Sequence, residues 1–542
     1  MKNYLIKIFD AAKVKLPYLN EIDPLFTVPS QQDHGDYATN AAMLLAKKLK
    51  KKPLDISKEI VDNLDYDRNI ILKIEIAGPG FINFYFSPTF NTQIINRIFS
   101  SKESFGKSNK YSGKKAMVEF VSANPTGPLT VGHGRNAVVG DTLANMLEWI
   151  GYTVDREYYF NNAGRQMRVL GDSVRLRYLE ALGRQIQFPE DYYQGEYIKE
   201  IASKLKSGFG DKLAGEDAEG IFKQTAEKEI FSDIIKTMER IRIRMKKFFN
   251  EHTLYEDGRI TGLLYEFKKK NLSYEKDGAV WLKLSELGNE QDKVIVKSSG
   301  EPTYRLPDIA YHITKFERGY DMMIDLFGSD HNATYPDVMA GLRALGYDDK
   351  KIKVLIHQFV TILDKGEIVK MSTRKANYIT LDELIDEVGS DVVRYFFNMR
   401  SITSHLNFDI DLAKKQSDEN PVFYLQYAHA RISSILRMTG EEGLNSSTAH
   451  LDLLVEGEEQ NLLKKLHEFP DEILYSAENY ETHKITVYLE ELASLFHRFY
   501  TECRIIGSEK NLAEARIALC IAVHTVLRNG LSILGVNAPD KM

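Results

Sequence analysis

The chain has 542 residues, 43% of them hydrophobic and 27% charged, enough apolar sequence to bury large cores in about three or four domains. A net charge of −6 excludes a globally basic, histone-like binder of nucleic acid and leaves only local basic patches for that purpose. With only two cysteines, Cys503 and Cys520, neither a disulfide framework nor a zinc site built on CxxC words is available, and a reducing compartment is expected.

The first residues mix Lys and Asp with apolar positions, and no apolar run reaches the length of a bilayer, so neither export nor a membrane is expected. Residues 1–108 read as helices followed by an alternating hairpin, with Ile74, Ile76, Ile82, Phe84 and Phe86 on one face about the turn Gly78-Pro79-Gly80; this makes an N-terminal α+β domain. The polar stretch 105–113 reads as a linker. An apolar strand, Ala116 to Val121, then leads through a Pro/Gly-rich loop into a helix with Val139, Leu143, Met146, Leu147 and Ile150 at helical spacing, and a second strand, Thr153 to Phe160, closes a βαβ unit. A buried strand from Met322 to Phe327, a helix from Tyr335 to Leu345 and a strand from Val354 to Leu363 extend it. The expected fold class is therefore α/β, a Rossmann-like doubly wound parallel-sheet core over residues 109–415. Within it, residues 164 to about 271 read as a helical insertion that includes the basic amphipathic run Ile241 to Phe249. From Asn420, a cap followed by Pro421 at the first helical position, the pattern is helical to the end, and residues 416–542 are expected to form an all-α bundle.

Chemistry concentrates in two loops. The first, Ser122-Ala123-Asn124-Pro125-Thr126-Gly127-Pro128-Leu129-Thr130-Val131-Gly132-His133, lies between a strand's carboxyl end and a helix's amino end, where unpaired N–H groups and the helix dipole favour an anion. It is neither the dinucleotide fingerprint nor a P-loop, because GxGxxG and GxxxxGK are both absent. Gly132 lets a ligand approach the backbone, and His133 projects from the first turn to hydrogen-bond a phosphate. The second loop, Lys370-Met371-Ser372-Thr373-Arg374-Lys375, follows a hairpin turn at Asp364-Lys365-Gly366. It can close over a triphosphate and neutralise charge that moves onto departing pyrophosphate.

Some 240 residues apart, Thr130–His133 and Lys370–Arg374 together resemble the HIGH and KMSKS signatures of class I aminoacyl-tRNA synthetases, and the longer words around them resemble the arginyl branch. His34-Gly35-Asp36-Tyr37-Ala38-Thr39-Asn40 and Ala77–Asn83 resemble that family's extra N-terminal domain, which implies contact with the tRNA elbow. Tyr158–Met167 and Asn420–Arg431 resemble its core and its anticodon-binding bundle, so the resemblance covers essentially the whole chain. Two positions depart from it: Thr130 replaces the first His of HIGH, and Ala376 stands where the family usually has Gly.

The resemblance implies an AMP-forming arginine–tRNA ligase with L-arginine, tRNA-Arg and ATP with Mg²⁺ as substrates and no tightly bound cofactor or metal; because no heptad, interface stripe or export signal is visible, a monomeric, cytoplasmic protein is expected. The resemblance also implies that Thr130, His133, Lys370 and Ser372 serve catalysis. ATP would lie along Ala123–His133, with His331 and Lys370, Met371, Ser372, Thr373 and Arg374 closing on it. Arginine would meet Glu119, Ser122, Asn124, Tyr304, Asp308 and His331, since a planar guanidinium calls for a fork of acceptors. Glu119 sits in an otherwise apolar strand, where a charge is costly unless paired, so a ligand partner accounts for it. Tyr424, Gln426, Tyr427, Arg431, Arg498 and Arg504 mix stacking faces with cationic donors, as a single-stranded RNA loop requires. Thr130 alone supports a second reading, a relative that no longer charges tRNA and acts as an RNA-binding or regulatory protein.

Overall fold

In the computed structural model, which describes all residues except 30, 32–33, 330–333, 370–378, 442–443 and 447–448, the segment up to Phe86 closes around its own apolar core. Helix α1 (Lys2–Ala12), strands β1 (Phe26–Thr27) and β2 (Tyr37–Thr39), helices α2 (Ala41–Leu49) and α3 (Pro53–Asn63), and the hairpin β3 (Ile71–Ala77) and β4 (Phe81–Phe86) give an antiparallel sheet of order β1-β2-β4-β3. Ile82, Phe84 and Phe86 are buried along one face of β4, while Ile74 and Ile76 are only partly buried. Helix α4 (Pro88–Ser101), capped by the Ser87 hydroxyl, turns Ile94, Ile95 and Ile98 toward the terminal helices.

Strand β5 (Lys115–Glu119), helix α5 (Val131–Trp149) and strand β6 (Thr153–Phe160) form the expected βαβ unit. Helices α6 (Gly164–Ala181), α7 (Glu196–Phe209) and α8 (Lys223–Arg240) precede strand β7 (Lys247–Asn250). Next come α9 (Thr253–Glu256), α10 (Arg259–Lys269), an antiparallel sheet of β8 (Ser273–Lys276), β9 (Ala279–Leu282) and β10 (Lys293–Val296), and α11 (Arg305–Glu317). The chain then re-enters the main sheet as β11 (Met322–Gly328), α12 (Tyr335–Leu345) and β12 (Ile352–His357). Five parallel strands lie in the order β12-β11-β5-β6-β7, so the winding reverses between β5 and β11 and opens a crevice at their carboxyl ends.

Two sequence expectations change. The run Ile241 to Phe249 is not a helix: Arg242 adopts a φ of 60° after α8, and Phe248 and Phe249 then pack on opposite faces of the sheet, the period of a strand. The stretch Val354 to Leu363 is two strands. Arg135 donates to the Gln358 carbonyl (2.8 Å) and the Gln358 amide donates to Ile402 (3.1 Å), which breaks the strand. Beyond that break β13 (Val360–Asp364) joins β14 (Glu367–Ile368) and β15 (Leu406–Asp409) in a separate sheet. Strands β8–β10, which lie beyond the expected helical insertion, carried no sequence expectation; Ser273–Lys276 in particular has too little apolar alternation to signal a strand.

Helix α5 is buried on nearly all sides, between the sheet and the terminal helices. A Cβ on its Gly140 would lie 2.4 Å from Phe120 Cγ. Gly140→Ala is therefore expected to destabilise the fold by about 1–3 kcal/mol despite its gain in helix propensity, checked by urea denaturation. Helices α13 (Leu381–Val388), α14 (Ser390–Asn398) and α15 (Ile410–Lys414) lead to the bundle of α16 (Pro421–Glu441), α17 (Gly457–Asn479), α18 (His483–Glu502) and α19 (Lys510–Leu534). One apolar core runs without interruption from the main sheet into this bundle. By length and composition α19 is apolar enough to cross a membrane, but most of it is buried against α4, α5, α16, α17 and α18. Cys503 and Cys520 are buried and unpaired.

Candidate active site

The chain leaves β5 through two non-glycine residues with left-handed backbone, Val121 at φ 68° and Ser122 at φ 44°, a conformation that costs about 1–3 kcal/mol per residue. Side chains from neighbouring elements hold it. The Val121 amide donates to Asn136 Oδ1 (2.6 Å), and Asn136 Nδ2 donates to the Leu326 carbonyl (2.9 Å), so α5 clamps the ends of β5 and β11 together. Ser122 Oγ donates to Glu119 (3.0 Å) and accepts from the Tyr159 amide (3.2 Å). Beside this turn lies a cavity of about 470 Å³ whose lining includes Glu119, Ser122, Asn124, Tyr304 and Asp308. Thus five of the six residues expected to meet arginine share one cavity, and the sixth, His331, lies outside the described residues.

Glu119 has a partner inside the protein. Lys315 Nζ donates to its Oε2 at 2.6 Å, and both side chains are almost fully buried. The sequence argument that a charge in an apolar strand needs a ligand overlooked a lysine far along the chain, one that reads as an ordinary helical Lys. Asp308 is different. Burial pushes its carboxyl up to about 7; His312 and Lys315 pull the other way, while Glu251 and Glu119 add to the rise. Among the described residues no hydrogen bond or ion pair reaches its carboxylate. Glu251, which the sequence reading missed, also lines the cavity and accepts from Tyr159 Oη (2.6 Å) and Asn161 Nδ2 (2.8 Å). Burial raises its pKa too, against those hydrogen bonds. Only its place after a strand end, which was itself misread as helix, could have signalled it.

The first loop divides into support and open edge. Pro125, Leu129 and Val131 are buried, and the carbonyls of Ala123 and Thr126 accept from Tyr158 Oη and Tyr197 Oη, both at 2.7 Å. A Cβ on Gly127 would meet Tyr197 Oη at 2.9 Å, and Pro128 bridges the turn to Leu129. A Cβ on Gly132, in contrast, would meet only Thr130 Oγ1 at 3.7 Å among the described residues, so none of them excludes a side chain there. Asn124 Oδ1 accepts the Asn161 amide (3.1 Å) and its Nδ2 donates to Gln166 (3.0 Å). Thr130 caps α5 in a reciprocal box: its hydroxyl accepts the His133 amide, and its own amide donates to His133 Nδ1 (3.2 Å). A neutral His133 therefore carries its proton on Nε2. Lys370, Met371, Ser372, Thr373 and Arg374 lie outside the described residues, as does Ala376.

On the terminal bundle, Tyr427 is 40% exposed and its ring lies near-parallel to those of Phe423 (6.3 Å, 8°) and His497 (6.2 Å, 16°). Tyr424 packs on the same His497 (4.8 Å). Arg431 lies over Tyr500 (4.8 Å) and donates to the hydroxyls of Tyr427 and Tyr500. Residues of α16 and α18 thereby form one aromatic and cationic face. Arg498 and Arg504 are exposed, with Arg504 Nε on the Ile506 carbonyl (3.0 Å). Gln426 is not part of this face. Its amide donates to Asp391 (2.9 Å) and to the Asn537 carbonyl (3.0 Å), tying α16 to α14 and the C-terminal segment.

Three family descriptions match in chain order: the arginyl tRNA synthetase N terminal domain at residues 3–86, the catalytic domain of tRNA synthetases class I (R) at 94–397, and the DALR anticodon binding domain at 425–542. The arginine–tRNA ligase of Pelodictyon phaeoclathratiforme is 51% identical over 524 residues, covering 95% of each chain. That of Desulfotalea psychrophila is 50% identical over 518 residues, 95% of this chain and 94% of the other. The arginyl-tRNA synthetase of Thermus thermophilus shares the fold, with a TM-score of 0.79 at 21% identity and full coverage of both chains. A parallel sheet that switches direction beside the Thr130–His133 loop, matched across the catalytic region, defines a class I aminoacyl-tRNA synthetase. Within that class, the chain belongs to the arginyl-tRNA synthetase family.

Proposed function

We propose that the chain activates L-arginine with ATP and transfers it to the 2′-hydroxyl of the terminal adenosine of tRNA-Arg. The observation that carries the amino-acid choice is Asp308, a half-buried carboxyl with no partner among the described residues, in the same cavity as Glu251. Two acceptors around one cavity suit a planar, always-charged guanidinium better than a lysine ammonium, and Tyr304 at the rim adds a third polar edge. Asn124, Ser122 and His331 are assigned to the amino-acid backbone and nucleotide.

In the first step a carboxylate oxygen of arginine attacks the α-phosphorus of ATP carried with Mg²⁺, the bond to the β-phosphate breaks, and pyrophosphate leaves. His133 Nε2–H and the backbone amides of Val131 and Gly132 in the first turn of α5 donate to phosphate oxygens, with Gly132 leaving room for them. Lys370, Ser372 and Arg374 bring positive charge and a hydroxyl to the departing pyrophosphate. In the second step the 2′-oxygen attacks the arginyl carbonyl and AMP leaves. Thr130, which alone supported a non-charging relative, orients the His133 ring, a role compatible with full activity. No side chain needs to act as a covalent nucleophile, because positioning and charge stabilisation suffice for in-line transfer.

The domain at residues 1–108 is assigned to the tRNA elbow and the bundle at 416–542 to the anticodon, in a monomer of the cytoplasm. Tyr427→Ala is expected to raise KM for tRNA about tenfold or more, the worth of one stacked base, with KM for arginine unchanged in exchange assays. The function itself is tested by ATP–pyrophosphate exchange with each amino acid, with and without tRNA. Exchange confined to arginine supports the reading; exchange with a different amino acid, or none from folded protein, overturns it.

A further inference from the structure

The main sheet holds three carboxylates side by side. Glu157 on β6, Glu119 on β5 and Asp325 on β11 pair in register across three neighbouring parallel strands and so share one face. None is more than 3% exposed. Like charges directly opposed inside a sheet repel, and their burial weakens solvent screening, so cations must come from the layer packed on that face.

Helix α11 and its C-cap residue, Arg318, supply them at helical spacing. Lys315 Nζ donates to Glu119 Oε2 and Asp325 Oδ1, both at 2.6 Å, and is itself fully buried. His312 Nε2 bonds Asp325 Oδ2 at 2.8 Å. Arg318 binds both oxygens of Glu157, and Tyr311 Oη donates to the same carboxylate at 2.7 Å. Every carboxylate of the row is thus met by a side chain of this one helix. Asp308 lies two turns before Lys315 on the helix, and Tyr304 immediately precedes it. The other nitrogen of His312 bonds the Asp308 carbonyl at 2.7 Å.

We propose that the Glu157–Glu119–Asp325 row is a rail that fixes where α11 sits along the sheet, and that Lys315 is a positioning residue for the amino-acid substrate. Lys315 holds Asp308 and Tyr304 at the distance the substrate side chain requires, and by neutralising Glu119 it leaves Asp308 and Glu251 as the carboxylates that meet the ligand. The proposal rests on the reading that this cavity holds arginine. A helix bound at three consecutive strands is fixed in both translation and rotation, and a shift of about 1 Å at a substrate-binding group can cost about a hundredfold in rate.

Lys315→Met removes the cation and keeps most of the side chain's bulk. In exchange assays its KM for arginine is expected to rise at least tenfold, while KM for ATP stays within twofold. Asp325→Asn removes the charge of the β11 leg and keeps the Lys315–Glu119 pair; of the residues lining the cavity its side chain bonds only His312, to which the amide oxygen can still offer an acceptor; a rise of several-fold in arginine KM alone is expected. Equal changes in both KM values, or an unchanged arginine KM in folded protein, would overturn the positioning role. Should Lys315→Met fail to fold, Asp325→Asn decides the matter on the same readout. Wild-type exchange with another amino acid would sink the arginine reading instead, and the rail would then be judged by the KM of that amino acid.

Discussion

Asp308→Asn is expected to lower kcat/KM for arginine by about 10³- to 10⁵-fold while KM for ATP changes little, because a site built around a poorly solvated acceptor loses most when that acceptor cannot match the ligand's donors. The amide keeps the shape of the carboxyl but presents two donors to a guanidinium that only donates. The pH dependence follows from the raised carboxyl. In the empty site it titrates at about 7, and a bound guanidinium favours the ionised form. Below pH 7 arginine must therefore displace a proton, so KM for arginine should fall about tenfold per unit as pH rises toward 7 and level off above it. The stability sign is opposite. A carboxyl whose pKa is raised on folding favours the folded state while protonated, so its contribution is fully present below about 4 and is lost as pH rises through 7. Thermal denaturation should accordingly show a larger arginine-induced stabilisation at pH 8 than at pH 6. A pH-independent arginine KM across that range would contradict the assignment of Asp308 as the ligand carboxylate.

The second large effect is expected at Arg394 on α14. Its guanidinium is fully buried and donates to the Leu534 carbonyl (2.7 Å), the Ile241 carbonyl (2.7 Å) and Asp141 Oδ2 (2.6 Å). These belong to the end of α19, the turn after α8, and α5, so one side chain joins the bundle, the helical insertion and the helix that carries His133. Gly535, at φ 65°, completes the fit, since a Cβ there would lie 2.3 Å from the guanidinium. Arg394→Met is expected to cost about 3–5 kcal/mol, because it strands two carbonyls and removes one of two cations from Asp141, which keeps Arg156 at 2.9 Å. Urea unfolding monitored with exchange activity checks this. A loss under about 1 kcal/mol would show that water or repacking satisfies those acceptors.

The β5-loop-α5-β6 unit was legible in the sequence because each part is fixed locally. An apolar run ends at a Pro/Gly loop, a helix with its own cap follows, and Thr153 to Phe160 falls within the bounds the structure gives. The Asp364-Lys365-Gly366 hairpin was legible for the same reason, with Lys365 at φ 51° and Gly366 at φ 76°. Two other segments were misread because periodicity alone does not arbitrate short apolar runs: Ile241 to Phe249 looks helical until Phe248 and Phe249 are seen on opposite sides of the sheet. Gln426 read as an RNA donor because its neighbours do, yet its partners are Asp391 and Asn537.

By itself the sequence determined the class of fold and marked the two loops and the residue types on which the proposed site is built, since loop composition, caps and motif words are short-range properties of the chain. Only the tertiary structure decided which carboxylates are available to a ligand. Lys315 meets Glu119 across 196 residues of sequence, and Glu251 enters the cavity from a strand edge. Whether a buried charge is paired depends on which distant side chain the packing brings within about 3 Å, and no local pattern encodes that distance.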